Sequence, residues 1–163
     1  FPCGEGFAHA ANQADCMLNV TAFRAVWAWK GPFDVDCCAS PGSVQSHPTS
    51  GEELAVVSSF MNTALHSDVL SFVHPGRLYA FPPGLLVYRL MAHVLRERLR
   101  MVIVLLWWPT QPWFPLIKSR ELMHLGALSD VVVPAASGRG HPFGNNFDVS
   151  STRVDMVAVA FNM

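Results

Sequence analysis

Apolar residues at Met17, Val20, Phe23, Val26 and Trp27 recur three and four positions apart, which predicts one helix face over Cys16 to Trp29. Gly31-Pro32 stops that helix. Over FDVDCCAS, Phe33 to Ser40, the pattern changes to alternation. Asp34 and Asp36 fall on one face and the apolar residues on the other, so a short strand is expected, ending at Pro41-Gly42. Ser43 to Gly51 is a polar loop. Glu52 to Leu65 returns to helical spacing through Leu54, Val57, Phe60, Met61 and Leu65, with Ser50 and Glu53 placed as a capping box. His74-Pro75-Gly76 is a turn, and Arg77 to Phe81 a strand that stops abruptly at Pro82-Pro83-Gly84.

Leu85 to Arg100 is the strongest helix, with Leu86, Leu90, Val94 and Leu95 on one face and Arg96, Arg98 and Arg100 near its end, where cations suit the dipole. Met101 to Leu106 is an unbroken Val/Ile/Leu-rich run, the composition of a strand buried on both faces. WWPTQPWFP is a loop, Leu116 to Leu125 a further helix ended by Gly126, and Val131 to Val133 a strand. Ser137 to Asn146 is a glycine-rich loop, and Val154 to Phe161 a last strand, while residues 1–15 read as irregular. The order α-β-α-β-α-β-α-β-β predicts an α/β fold: a Rossmann-like three-layer sandwich with a mainly parallel sheet. Ligands in such sheets sit at the carboxyl ends of the strands. The loops after FDVD, LYAF and VLLW all open on that edge if their strands are parallel.

Composition narrows the classes. Of 163 residues, 51% are hydrophobic and 14% charged, a low charge share for a free-standing soluble domain. It favours a chain that buries surface against itself, a protein partner or a larger assembly. A net charge of -1 supplies no global field for nucleic acid. No apolar run is long enough for a membrane-spanning helix, and no basic-then-apolar leader is visible. The chain opens on Phe1 rather than Met, as a fragment or processed product would. Cys3, Cys16, Cys37 and Cys38 include no C-x-x-C pair and are expected as reduced, partly buried thiols, which favours an intracellular setting. Asn19-Val20-Thr21 matches a glycosylation sequon, a pattern that arises often by chance.

Candidate chemistry is sparse. Asp34 and Asp36, at a strand end, are of the type that binds nucleoside hydroxyls, or else form a solvated pair. Phe81-Pro82-Pro83-Gly84 could hold carbonyls rigidly toward a flat ligand, or only turn the chain. Trp107, Trp108, Trp113 and Phe114 could stack on a base or a partner, or fold back and bury their rings. None of the histidines, His9, His47, His66, His74, His93, His124 and His141, stands at metal-ligand spacing, so no metal is expected, and His93 reads as a satisfied helix residue. SGRGHPFGNN lacks the order of a phosphate-binding loop, even with Arg139, and no G-x-S-x-G elbow marks a serine nucleophile.

Taken in order, these segments resemble phage-type, Dam-like DNA adenine methyltransferases. FDVDCCASPGS is similar to FDLDAAAS-x-EN, SDVLSFVHPGRLYAFPPG to D-x-LS…GRVWMNPPYG, and MVIVLLWWPTQPWFPLI to VVALLPARTDTRWF. VVVPAASGRGHPFGNN stands where that family has FLRGRLKFG, before the last strand, VDMVAVAF. The wording is closer still to a segment after the RNase H region in DIRS-type and Ngaro-type tyrosine-recombinase retroelement polyproteins, in a form like VDLFAS…YAFPP…WPRQPWFP. HAANQADCML resembles the RNase H tail itself. The resemblance implies an N-terminal extension with one helix over residues 1–30 and a methyltransferase-like domain over 31–163. It also implies an S-adenosylmethionine pocket near Asp34, Asp36 and Ser40, if one is retained.

Two departures bear on activity. In the active family the motif is Asp or Asn, Pro, Pro, then Tyr or Phe. The first side chain and a proline carbonyl accept from the adenine amino group, and the aromatic ring stacks on the flipped base. Here those ends are Phe81, which cannot accept, and Gly84, which has no ring. Ser43 stands where the family has Asn. The expectation is a catalytically degenerate domain of retroelement origin with a structural or protein-interaction role and no cofactor. The alternatives are an active methyltransferase on adenine or another substrate, and a nucleic-acid-binding module of a reverse-transcriptase polyprotein, hinted at only by Arg96, Arg98 and Arg100.

Overall fold

The computed structural model describes residues 16–59, 61–134 and 154–163. Strand β1, Cys16–Leu18, comes first. Asn19 then caps helix α1, Val20–Lys30, its Oδ1 accepting from the Ala22 N–H at 2.8 Å. The helix starts later than the apolar spacing predicts, because Cys16 to Leu18 pairs with another strand. Gly31 ends it as expected, donating to the Trp27 carbonyl. The Asn19 Nδ2, which a glycan would need, donates to the Asp130 carbonyl at 2.9 Å.

Strand β2 is only Val35–Asp36, followed by β3, Ala55–Val56, and β4, Arg77–Ala80. The helix expected over Glu52 to Leu65 is replaced by loop and β3. Val35 needs a backbone neighbour on that side and Ala55 supplies it, while Ser50 Oγ accepts from Glu52 rather than capping a helix. Helix α2, Val87–Glu97, and β5, Arg100–Leu106, match their predicted segments closely. The helix expected over Leu116 to Leu125 is instead a run of turns followed by the edge strand β6, Leu122–Ala127, whose alternating exposure is that of a strand with one wet face. Gly126, at φ +115°, sits where the β6–β8 register slips, a conformation glycine accepts freely. A single turn, α3 (Leu128–Val131), leads to β7 (Val132–Pro134), and β8 is Asp155–Phe161.

The main sheet runs β3-β2-β4-β5-β8-β6. Strands β3, β2, β4 and β5 are parallel, and β8 runs against both of its neighbours. A separate antiparallel pair joins β1 to β7. The alternating pleat makes two cores. Leu78, Ala80, Met101, Ile103 and Val159 face α2 through Leu90, Met91 and Val94. Tyr79, Val102, Val104, Met156 and Ala158 face α1 and α3 through Phe23, Val26 and Leu128. The result is a three-layered α/β fold with a mostly parallel sheet. Helix α1 packs into the same core as the sheet it precedes.

Cys16 is disulfide-bonded, which corrects the expectation that all four cysteines are reduced; its partner lies outside the described residues. Cys37 and Cys38 are free thiols, as expected. The glycine-rich loop at 137–146, with Arg139 and His141, and residues 1–15, with Cys3 and His9, also lie outside them. No helix among the described residues is long and apolar enough to cross a membrane.

Candidate functional site at the carboxyl edge of the sheet

The chain leaves β2 toward β3 on one flank and returns to β4 on the other. The gap beyond the carboxyl ends of β2 and β4 is therefore a topological switch point, where open α/β sheets place their ligands. The loops after β2, β4 and β5 share this edge because the three strands are parallel.

Asp36 closes β2 and is paired in register with Tyr79, so both side chains lie on the α1 face. Asp36 is only 3% exposed. Burial pushes its carboxyl up from 3.8 to about 7, with the Gln45 and Cys38 backbone amides holding it part of the way back. The Gln45 amide donates to Asp36 Oδ2 at 3.0 Å, and the Gln45 side chain donates to the Leu18 carbonyl at 3.0 Å. Tyr79 is 1% exposed and its hydroxyl has no hydrogen-bond partner. Gln45 approaches that hydroxyl and holds its upward shift back in part; its side-chain amide has two N–H groups, one of which donates to the Leu18 carbonyl. Burial is also the main force raising the Tyr79 hydroxyl and the Cys37 and Cys38 thiols, so these groups stay protonated and the thiols are poor nucleophiles.

Asp36, Tyr79, Cys38, Ser43, Gln45 and Phe81 line a cleft with about 10 Å³ of room, the space of one water. Beyond it lies a larger cavity of about 230 Å³ that shares Met17 and Gln45 as walls and is bordered by Phe23, Arg24, Val44 and His47. His47 is fixed there: its Nδ1 accepts from the Thr49 and Ser50 amides, and its ring packs edge-on to Trp27 at 4.8 Å.

The expected pairing of Asp34 with Asp36 is not formed. Asp34 precedes β2 at the opposite edge, exposed, where its carboxylate accepts from the Arg77 amide at 3.0 Å. Ser40 is buried, with its hydroxyl 2.9 Å from that of Ser43, and their hydrogen bonds shape the loop after β2. The acidic cleft among the described residues has room for one small group, and the cavity beside it holds about 230 Å³.

Phe81 to Gly84 follows β4 directly, with Phe81, Pro83 and Gly84 half-buried and Pro82 buried. Together with Trp108, Gln111 and Trp113 it borders a mainly apolar pocket with about 20 Å³ of room. Of the aromatic group, Trp113 is buried, and Trp107 packs edge-on to Phe114 at 4.7 Å and to His124 at 5.0 Å. The rings fold back onto the core instead of standing free. His93 is satisfied, as the sequence implies: Arg96 can only donate to its Nδ1, so its Nε2–H donates to the Phe72 carbonyl at 2.7 Å. Among the described residues no group of three or more His, Cys, Asp or Glu could hold a metal ion.

Sequence reasoning missed Tyr79, Gln45 and Gln111. Tyr79 reads as an ordinary strand aromatic, and only the register of β4 on β2 sets it beside Asp36. Gln111 is a lone polar residue among aromatics, a signal too common to single out. No protein-family model matches the chain, and no curated protein sequence matches it.

Proposed function

We propose that this chain is a methyltransferase-like domain, of retroelement descent, that no longer transfers methyl groups and serves as a structural or protein-interaction module. One observation carries the reading: Phe81-Pro82-Pro83-Gly84 stands at the carboxyl end of a parallel strand beside the switch point, with no acceptor at its first position and no ring at its last. Loss of an acceptor from such a site removes on the order of a few kcal/mol of transition-state stabilisation. The exposed apolar Leu85 and Tyr88, just beyond the motif, favour a protein partner. The basic residues speak less for nucleic acid. Arg100 is committed to the Pro75 carbonyl and Arg96 to Glu97 and His93.

A second reading, an enzyme with rebuilt groups, draws on one observation. Among the described residues the side chain of Gln111 has no hydrogen-bond partner, and it borders the same pocket as Phe81 and Gly84. One experiment separates the two: incubation of the chain with DNA and methyl-labelled S-adenosylmethionine. The expected result is no incorporation, either by the chain as it stands or by Phe81→Asn with Gly84→Tyr, which restores the motif but not the rest of the site. Incorporation by the unaltered chain would overturn the first reading.

A further inference from the structure

Helix α2 has two unlike sides. Leu90, Met91 and Val94 pack on the sheet. On the opposite side Leu85, Tyr88, Arg89, Ala92 and Arg96 recur three and four positions apart, and all are exposed, so they form one continuous stripe. Leu85 belongs to the 3-10 turn Gly84–Leu86 that runs straight into α2, and it is 76% exposed. Tyr88, one turn on, is 53% exposed. Beside this apolar end stand cations with bonding capacity to spare. Among the described residues Arg89 has no ion-pair or hydrogen-bond partner. Arg96 engages Glu97 through Nε and His93 through Nη2, which leaves its Nη1 open. We propose that the stripe docks an acidic amphipathic helix of a protein partner, with the partner's apolar side chains against Leu85 and Tyr88 and its carboxylates on Arg89 and Arg96.

Charge selects the occupant. From Val87 to Arg100 the chain carries four arginines against one glutamate, a net of +3, although the whole chain is at -1. A second copy docked through the same stripe would set arginine against arginine. A nucleic acid would use the cations but leave Leu85 and Tyr88 facing a phosphate backbone. An acidic amphipathic helix uses both kinds of group, and guanidinium matches carboxylate in shape as well as charge. Length fits too. The stripe from Leu85 to Arg96 covers about three turns, roughly 16 Å of helix, and helices that dock on a partner present anchors at this spacing. The inference deepens the protein-interaction part of the reading above by stating the surface and the partner's chemistry. It requires neither a cofactor nor methyl transfer.

The test is fluorescence anisotropy on the whole chain with two labelled synthetic helices of about 15 residues, long enough to hold the conformation. One has leucines along one face flanked by glutamates, and the other has lysines in place of the glutamates. The glutamate peptide is expected to bind saturably, and the lysine peptide at least tenfold more weakly. Leu85→Ser and Arg89→Glu should each weaken the glutamate peptide about tenfold. Neither should move the melting temperature, because both side chains are exposed. Arg89→Glu should also strengthen the lysine peptide, a gain that damage to the fold could not produce. The proposal is overturned if the glutamate peptide does not bind, if the lysine peptide binds the unaltered chain equally well, or if both variants bind as the unaltered chain does. It is also overturned if labelled duplex DNA binds more tightly than the glutamate peptide and is weakened by Arg89→Glu but not by Leu85→Ser, which would assign the stripe to nucleic acid. A dimer in sedimentation equilibrium that Leu85→Ser abolishes would overturn it in favour of a second copy. None of these failures would touch the loss of methyl transfer, which is read by label incorporation.

Discussion

At the residue scale, Asp36 has the clearest consequence. Its carboxyl is held near 7 in the folded chain, against 3.8 in the ordinary case. Below about pH 4 it is protonated both folded and unfolded, and the fold carries no penalty. Between about 4 and 7 the unfolded chain releases the proton and the folded chain keeps it, so stability falls as pH rises. Above about 7 the loss levels off, at on the order of 4 kcal/mol for a shift of this size. Urea midpoints measured from about pH 4 to 8 should decline accordingly, and Asp36→Asn should flatten the decline. A flat profile in the unaltered chain would mean that water or a counter-charge reaches the carboxyl. The sequence offered Asp34 and Asp36 as equals, because alternation assigns a face but not a depth. Depth came from elsewhere. Gln45 folds over Asp36, while Asp34 precedes the strand and ties down the turn at Gly76 and Arg77. A Cβ at Gly76 would run into the Asp34 carboxylate, so Gly76→Ala should lower stability by about 1–2 kcal/mol through the lost hydrogen bond.

At the scale of elements, the legible ones were those whose own side chains decide the matter. Helix α2 has an apolar stripe of Leu90, Met91 and Val94 that no strand could bury on one side. Strand β5 is apolar on both faces and has nowhere to go but the middle of a sheet. The failures, Glu52 to Leu65 and Leu116 to Leu125, carry helical spacing that is coincidental. Their backbone is claimed by edges already waiting at β2 and β8, and local periodicity cannot register that demand. Helix ends were legible only in part. Asn19 looked like a sequon and proves to be a cap, so Asn19→Ala should cost about 1–2 kcal/mol in chemical unfolding, more than an exposed cap, because the bridge to Asp130 goes with it. At the other extreme Arg98 ends α2 in the left-handed region at φ 55°. Arg98→Gly relieves that conformation and should raise stability by roughly 0.5–1 kcal/mol. A decrease would show that the Arg98 side chain makes a contribution its exposure does not suggest.

At the scale of the whole molecule, the arrangement turns on β8. It is the last strand in sequence, yet it lies between β5 and β6 and runs against both. Its even and odd positions feed opposite cores, Val157, Val159 and Phe161 toward α2 and Met156 and Ala158 toward α1. The sequence showed that a strand was there, from Val154 to Phe161, but not that it would enter the centre, because strand order is a long-range choice that no window of residues contains. Ending the chain at residue 154 would remove the full ladder from Met101 to Leu106 and leave β6 with no neighbour. It would also expose the inner walls of both cores at once, far more apolar surface than the few kcal/mol of net stability of a domain this size can absorb. The expected outcome is loss of the cooperative thermal transition in circular dichroism, not merely a lower midpoint. A truncated chain that still unfolded in one sharp step would mean that β2, β4 and β5 with α2 form a self-sufficient unit. The switch-point cleft would then be independent of the strand that now sits at the centre of the sheet.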